Sequence, residues 1–272
     1  MSAPVIGAAL GVSDLPTYRD WLFEKDRDLE LQSFWQAEAL ADGSWRPLAE
    51  EANKHLDGFK GRLGIHGPFW GLSFSNFDFE IREIVRRRMM AGLDVCEALG
   101  ATQMVVHSPI TTWDHFNMAM YPDGWERTVE LTHDCLDPVI ARAEDQGVEL
   151  VLENIEDADP EKRKRLVETF DSKAFRLSID TGHAHYAHGR TGAPPVDYFV
   201  RSAGNMLAHV HLQDAEGYAD RHWAIGRGTI RWHAVFAALT ELESNPRLIL
   251  ELRDRAEIPE SMAFLEREGL GQ

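Results

Sequence analysis

The chain has 272 residues, with 28 Lys and Arg against 45 Asp and Glu and a formal net charge of −17 when its 12 His are counted neutral. Binding to DNA or RNA draws on Lys and Arg that displace counterions from phosphates, so this balance weighs against a nucleic-acid partner. A hydrophobic content of 44% fills a core of the size found in single-domain barrels of about 250 residues, which excludes intrinsic disorder.

At the N-terminus, Met-Ser-Ala-Pro-Val-Ile lacks the basic segment of a signal peptide, and no run approaches the ~20 apolar residues of a membrane span. A soluble, cytoplasmic protein without membrane contact is expected. From there, short apolar runs alternate with segments of helical period. Val5 to Leu10 reads as a strand, followed by a helix over Leu15 to Lys25; Asp28 to Ser33 is the next strand, with a helix from Pro47 to Phe59. Arg62 to His66 precedes a helix over Phe79 to Leu99, with Asp78 as its cap and Gly100 as its stop. Gln103 to His107 is followed by an apolar connection, Ser108 to Asp123, read as a substrate-covering loop, and by a helix over Gly124 to Gln146 that Gly147 ends.

Glu149 to Glu153 leads into Asp159-Pro160, a helix start with Pro at the first helical position, and a helix to Phe170. Phe175 to Asp180, Leu207 to His211 and Leu248 to Glu251 are the last strands, with helices over Val196 to Ala203, Trp232 to Ser244 and Pro259 to Glu268. Arg86-Arg87-Arg88 and Lys162-Arg163-Lys164-Arg165 lie among acids within helices and read as solvated faces. Cys96 and Cys135 fall in helical patterns, without Cys or His at metal spacing, and read as buried thiols. Eight strand–helix units without a glycine fingerprint after the first strand point to an α/β fold, a closed (β/α)8 TIM barrel forming one domain over residues 1–272.

Barrel enzymes assemble their chemistry at the carboxyl ends of the strands. Here the third to eighth strands finish on His66, His107, Glu153, Asp180, His211 and Glu251. Six such groups aimed into one mouth are costly unless a cation offsets them, and imidazole mixed with carboxylate suits Mn, Zn, Co or Fe. Asp220 and His222 follow the seventh strand, before Gly226-Arg227-Gly228-Thr229-Ile230-Arg231-Trp232. Strand alternation turns His209 to the same side as His211, while His185 and His188 are surplus.

This pattern resembles the xylose-isomerase-like barrel superfamily. The residues that carry the likeness are strand-ending Glu153, then Asp180 and His183, His211 and Asp214, Gly226 and Gly228 before Trp232, and strand-ending Glu251. In the sugar isomerase and epimerase branch, the resemblance implies one divalent ion (Mn, Zn or Co) held by Glu153, Asp180, His211 and Glu251. It further implies Glu153 and Glu251 as acid and base, with His183 beside the substrate. His66, His107, Arg221 and Trp113 join His183 as expected substrate contacts. In the endonuclease IV branch, His66, His107, His183, Asp220 and His222 would be additional ligands, raising the count to three zinc ions.

Arg227 and Arg231 stand where the isomerase loop carries Glu and Asp, which points to an anionic or phosphorylated substrate. The expected activity is therefore isomerisation or epimerisation of a small polyhydroxy carbonyl compound, by Glu-mediated proton transfer through a metal-stabilised enediolate. The alternatives are a trinuclear zinc phosphodiesterase and a keto-sugar dehydratase or lyase. Trp70, Phe74, Phe77 and Phe79 are read as exposed aromatics, serving as a specificity wall or as the interface of a homodimer.

Overall fold

Runs such as Met104-Val105-Val106 and Leu150-Val151-Leu152 are apolar on both faces, as expected of parallel strands covered by helices outside and by side chains within. In the computed structural model, which describes residues 3–272, eight strands form such a layer. They are Gly7–Leu10 (β1), Leu29–Leu31 (β2), Leu63–His66 (β3), Gln103–His107 (β4), Glu149–Glu153 (β5), Phe175–Asp180 (β6), Leu207–Leu212 (β7) and Arg247–Leu250 (β8). All pair in parallel and in sequence order, and β1 closes on β8 through Gly7 opposite Ile249 and Ala8 opposite Leu250. The result is the expected (β/α)8 barrel.

Helix punctuation follows the side-chain chemistry. The Asp78 carboxylate accepts the Glu80 N–H at the start of Phe79–Leu99, and Gly100 ends that helix with φ of 64°. Asp159 caps Pro160–Glu168 in the same way, accepting from Glu161 N–H. Three helices go beyond the sequence pattern: Ala37–Asp42, Thr112–Asn117 and Thr181–Thr191. The last, with His at three positions and Gly at two, has weak intrinsic propensity; Asp180 starts it by accepting the His183 N–H at 2.6 Å. No helix among the described residues is long and apolar enough to cross a membrane.

The main core lies between barrel and helices, built from residues such as Leu10, Leu31, Ile65, Val106, Leu152, Ile179 and Leu250. Val105 and Val151, on alternate strand positions that face the barrel axis, form a separate small apolar group with Ala208, the extra residue where the pairing of β6 with β7 shifts register. Around them the axis is polar, with buried Glu30, Gln103, Ser178, His209 and Arg247. Cys96 and Cys135 are buried free thiols, each pushed up to about 12 by burial.

Two expectations are corrected here. Phe74 is not an exposed aromatic but 1% exposed within the core, whereas Trp70, Phe77 and Phe79 do face solvent. Arg163 is not on a solvated face: it is 1% exposed, donates from Nη1 to Leu152 O at 2.6 Å and to Ser178 O, and faces Asp157 Oδ1 from Nε at 3.7 Å. Its run of charges hides one inward residue, because only one face of a helix can meet water.

Burial raises the Asp157 carboxyl to about 6, with Arg163 and the Ser108 hydroxyl opposing the rise. A folded-state pKa above the unfolded value means that the native state holds its proton more tightly. The associated stability is present below about pH 4 and lost as pH rises through about 6. Relative to Asp157→Asn, the wild type should lose on the order of 2–3 kcal/mol across that window, measurable by urea unfolding at pH 4, 5, 6 and 7. Parallel curves would contradict the assignment.

Candidate metal centre

The barrel brings Glu153, Asp180 and His211 to the ends of adjacent strands, with Glu251 directly after β8. One ligand atom from each of the four lies within 4.8 Å of those of the others. His211 Nδ1 is 3.1 Å from Glu153 Oε1 and 3.4 Å from Glu251 Oε2. Both carboxylates therefore reach the same small volume.

Two further groups flank this one. Glu153 Oε2 faces His107 Nε2 at 3.6 Å and His66 Nε2 at 3.8 Å, and those two Nε2 atoms are 3.3 Å apart. On the other side, Asp220 lies 3.5 Å from His183 Nε2 and 3.1 Å from His222 Nε2. His66, His183 and His222 each donate from Nδ1 to a backbone carbonyl, of Gly67, Asn154 and Glu251 respectively, at 2.9 Å. A neutral ring held in that way presents the lone pair of Nε2, the usual outer arrangement of metal-ligating histidines.

Four supporting residues were not singled out from the sequence. Glu30, in the middle of β2, accepts from His211 Nε2 at 2.9 Å. The Gln32 amide donates to Glu251 Oε1, and the Gln213 amide donates to Asp180 Oδ1 at 3.1 Å and Asp220 Oδ1 at 2.8 Å. Asn154 Oδ1 accepts the Asp180 N–H at 2.9 Å. Gln213 reaches its partners because residue 182 is glycine, where a Cβ would come within 2.2 Å of the Gln213 side chain. The one usable signal was position, since Gln213 stands two residues beyond His211.

Asp214, part of the sequence signature, has a structural task. Its carboxylate accepts the Gly226 N–H at 2.8 Å and the Trp232 Nε1–H at 2.9 Å, holding the Gly226–Trp232 segment in place. Arg227 Nη1 donates to Glu257 Oε1 at 2.6 Å, and Arg227 is not among the residues that line the cleft above the strand ends. Arg221 forks onto Glu216 at 2.7–3.0 Å and lies over Trp223, outside the cleft, because that nearby carboxylate captures its guanidinium.

Burial drives the Asp180 carboxyl up to about 7 and the His107 imidazole down to about 3. Burial would also raise Glu153, but the His211 charge holds it well below the carboxylate range. His211 and His183 are lifted well above the usual imidazole value by Glu251 and Asp180 respectively, against the effect of burial. His222 reaches about 9, its burial outweighed by the hydrogen bond to Asp220 and the charges of Glu251 and Asp180. These shifts belong to the metal-free site; a divalent ion held there takes the place of the histidine protons.

The residues fit a divalent ion on three counts. Glu153 Oε2 and Asp180 Oδ2 are buried without a hydrogen-bond partner. His211 Nδ1 points at two carboxylate oxygens, which requires a proton or a metal between them. The donors are imidazole nitrogen and carboxylate oxygen, the set preferred by zinc, manganese and cobalt over calcium or magnesium.

A cleft of about 720 Å³ opens above the centre, lined by His66, His107, Glu153, His183, Asp220, His222 and Glu251. Its apolar wall is Trp35, Phe69 and Trp70, with Phe69 stacked on His107 at 4.4 Å and packed against Trp35 at 5.3 Å. Arg253 and Arg255 supply its cationic rim. The Ser108 to Asp123 connection is not its cover. A capping box at Thr111 and Asp114, together with the bond from Thr112 N–H to Glu156, folds that segment into a helix beside the β5 end, and leaves Trp113 exposed outside the cleft.

A family model described as xylose isomerase-like TIM barrel matches residues 27–268. The uncharacterised protein MJ1311 of Methanocaldococcus jannaschii is 23% identical, over 96% of this chain and 89% of that one. Among solved structures, the TTHB071 protein of Thermus thermophilus, from crystals soaked with ZnCl2, shares 26% identity with a TM-score of 0.72 and covers 98% of this chain and 99% of that one. A D-tagatose 3-epimerase-like protein shares 21% identity with a TM-score of 0.75, each chain being covered to 96%. Structures described as a 3-keto-D-glucoside 4-epimerase of E. coli and a D-psicose 3-epimerase of Clostridium cellulolyticum share the fold at 18% identity each, with TM-scores of 0.70 and 0.69.

Proposed function

The chain belongs to the xylose isomerase-like TIM barrel family, and we propose that it is a divalent-metal-dependent isomerase or epimerase of a small keto-sugar or keto-polyol. The observation that carries this reading is the convergence of two glutamates, Glu153 and Glu251, on His211 Nδ1 at 3.1 and 3.4 Å. When bound, a divalent ion there polarises adjacent carbonyl and hydroxyl oxygens and acidifies the C–H bond between them. For epimerisation one glutamate takes that proton and the other, entering the step protonated, delivers its own proton to the opposite face; for isomerisation the first glutamate hands the abstracted proton to the neighbouring carbon while a proton moves between the two oxygens. His183 and His107, which line the cleft beside Asp180 and Glu153, bind substrate hydroxyls, while Trp35, Phe69 and Trp70 flank the apolar face of the carbon chain.

The test is solvent deuterium incorporation by the manganese- or zinc-loaded protein across ketoses, keto-inositols, 3-keto-glycosides and hydroxypyruvate. Label at the carbon beside the carbonyl is expected in at least one compound; no label in any of them would sink the reading.

A second reading is favoured by one observation, the two additional groups His66/His107/Glu153 and His183/Asp220/His222 around the central four ligands. Filled together, the three groups would make a three-metal phosphoesterase, in which the metals activate water and clamp the leaving oxygen. Elemental analysis separates the two readings together with a cleavage assay on abasic DNA. The isomerase reading expects about one tightly held ion per chain and no cleavage. About three zinc ions with cleavage would replace it.

A further inference from the structure

We propose that Glu30 is a positioning residue that makes His211 present Nδ1, rather than Nε2, to the metal centre. This rests on the metal site of the reading above but concerns a residue outside the ligand set. Glu30 sits on β2, across the barrel axis from β7, and is buried. Its Oε2 is 2.9 Å from His211 Nε2. A carboxylate only accepts, so His211 Nε2 must carry the hydrogen, which leaves Nδ1 as the lone pair of the neutral ring. That nitrogen is the one facing Glu153 and Glu251.

The carboxylate has two further neighbours, of which His209 Nε2 is close but makes no hydrogen bond. His209, one turn of the pleat below His211, brings Nε2 to 3.1 Å from the same Oε2 while its Nδ1 shares a 2.9 Å bond with the Ser178 hydroxyl. The two rings stand nearly perpendicular, 4.5 Å apart, with Glu30 against both. The other oxygen, Oε1, accepts from Gln32 Nε2 at 3.4 Å, and that same amide nitrogen donates to Glu251 Oε1. Glu30 thus fixes the ring of one ligand directly and meets the carboxylate of another through Gln32. Within the polar axis of this barrel, where apolar layers are the rule, Glu30 has this task.

The experiment compares zinc affinity of the wild type and Glu30→Gln by competition with a chromophoric chelator, alongside thermal melting of both metal-free forms. Glutamine keeps the size and an acceptor oxygen but removes the charge. Zinc binding should weaken roughly 10- to 100-fold, with the metal-free melting temperature moving by no more than about 4 °C. Equal affinities would overturn the proposal. A wild-type chain that takes up no zinc would instead overturn the metal reading, and the role of Glu30 with it. Should Glu30→Gln fail to fold, nitrogen-15 spectra of the histidine-labelled, zinc-loaded wild type decide: His211 should carry zinc on Nδ1 and hydrogen on Nε2, and zinc on Nε2 would refute the assignment.

Discussion

Replacing Glu153 by Gln should lower solvent deuterium incorporation into a ketose substrate by roughly 100- to 10,000-fold, the range for losing a positioned acid or base. Glu153 is the one residue shared by the central ligand set and the His66/His107 group, and its two oxygens face different histidines. Gln keeps one acceptor oxygen but cannot take a proton from carbon. Assayed at saturating metal, the variant separates proton transfer from ligand loss: kcat should fall even after the metal content matches the wild type. Glu251→Gln should act in the same direction, because Glu251 opens to the cleft and its carboxylate is held by Gln32. Exchange at the wild-type rate in either variant would remove that residue from the chemistry.

Arg163→Met should cost about 3–5 kcal/mol at pH 8, the range for removing one partner of a buried ion pair. In a chain of this size that corresponds to a drop of roughly 10 °C in Tm. The substitution strips Leu152 O and Ser178 O of their donor and leaves Asp157 buried without its counter-charge. Leu152 immediately precedes Glu153, and Ser178 stands two residues before Asp180, so the ends of β5 and β6 should loosen as well. At pH 5, below the raised pKa of about 6, Asp157 holds a proton and part of the loss should be recovered. Differential scanning calorimetry at the two pH values measures both effects. A variant as stable as the wild type at pH 8 would show that the buried pair is dispensable.

The barrel was legible because its signals are repetitive. Strands β4, β5 and β6 match the apolar runs residue for residue, and Asp78, Gly100, Gly147 and Asp159 mark the helix ends they were expected to mark. The convergence of the strand-end acids and histidines was legible for the same reason: the residue that terminates an apolar run points into the mouth. Glu30 was not, because it lies inside a three-residue strand, Leu-Glu-Leu, where one acid between two leucines reads as an outward-facing polar position. Only closure of β1 on β8 turns that position toward the axis, beside His209 and His211.

Arg221 and Trp113 were misplaced for a different reason. Proximity in sequence to Asp220 or to the β4 end does not say which way a loop residue turns, and Glu216 and the Thr111 capping box decide that locally. The helix Thr181–Thr191 escaped notice because its stability comes from the Asp180 cap and from packing, rather than from propensity. The negative charge also acquires a location: Glu153, Asp180, Asp220 and Glu251 converge at the mouth, while Arg253 and Arg255 at the rim oppose them.

On the function proposed above, the barrel mouth is a divalent-metal centre held by Glu153, Asp180, His211 and Glu251. Anomalous diffraction from crystals of the zinc-loaded protein, recorded on both sides of the zinc edge, tests it most directly. A peak is expected within about 2.0–2.2 Å of a carboxylate oxygen from each acid and of His211 Nδ1. A map with no peak among those four side chains, or with zinc only at surface histidines, would contradict it.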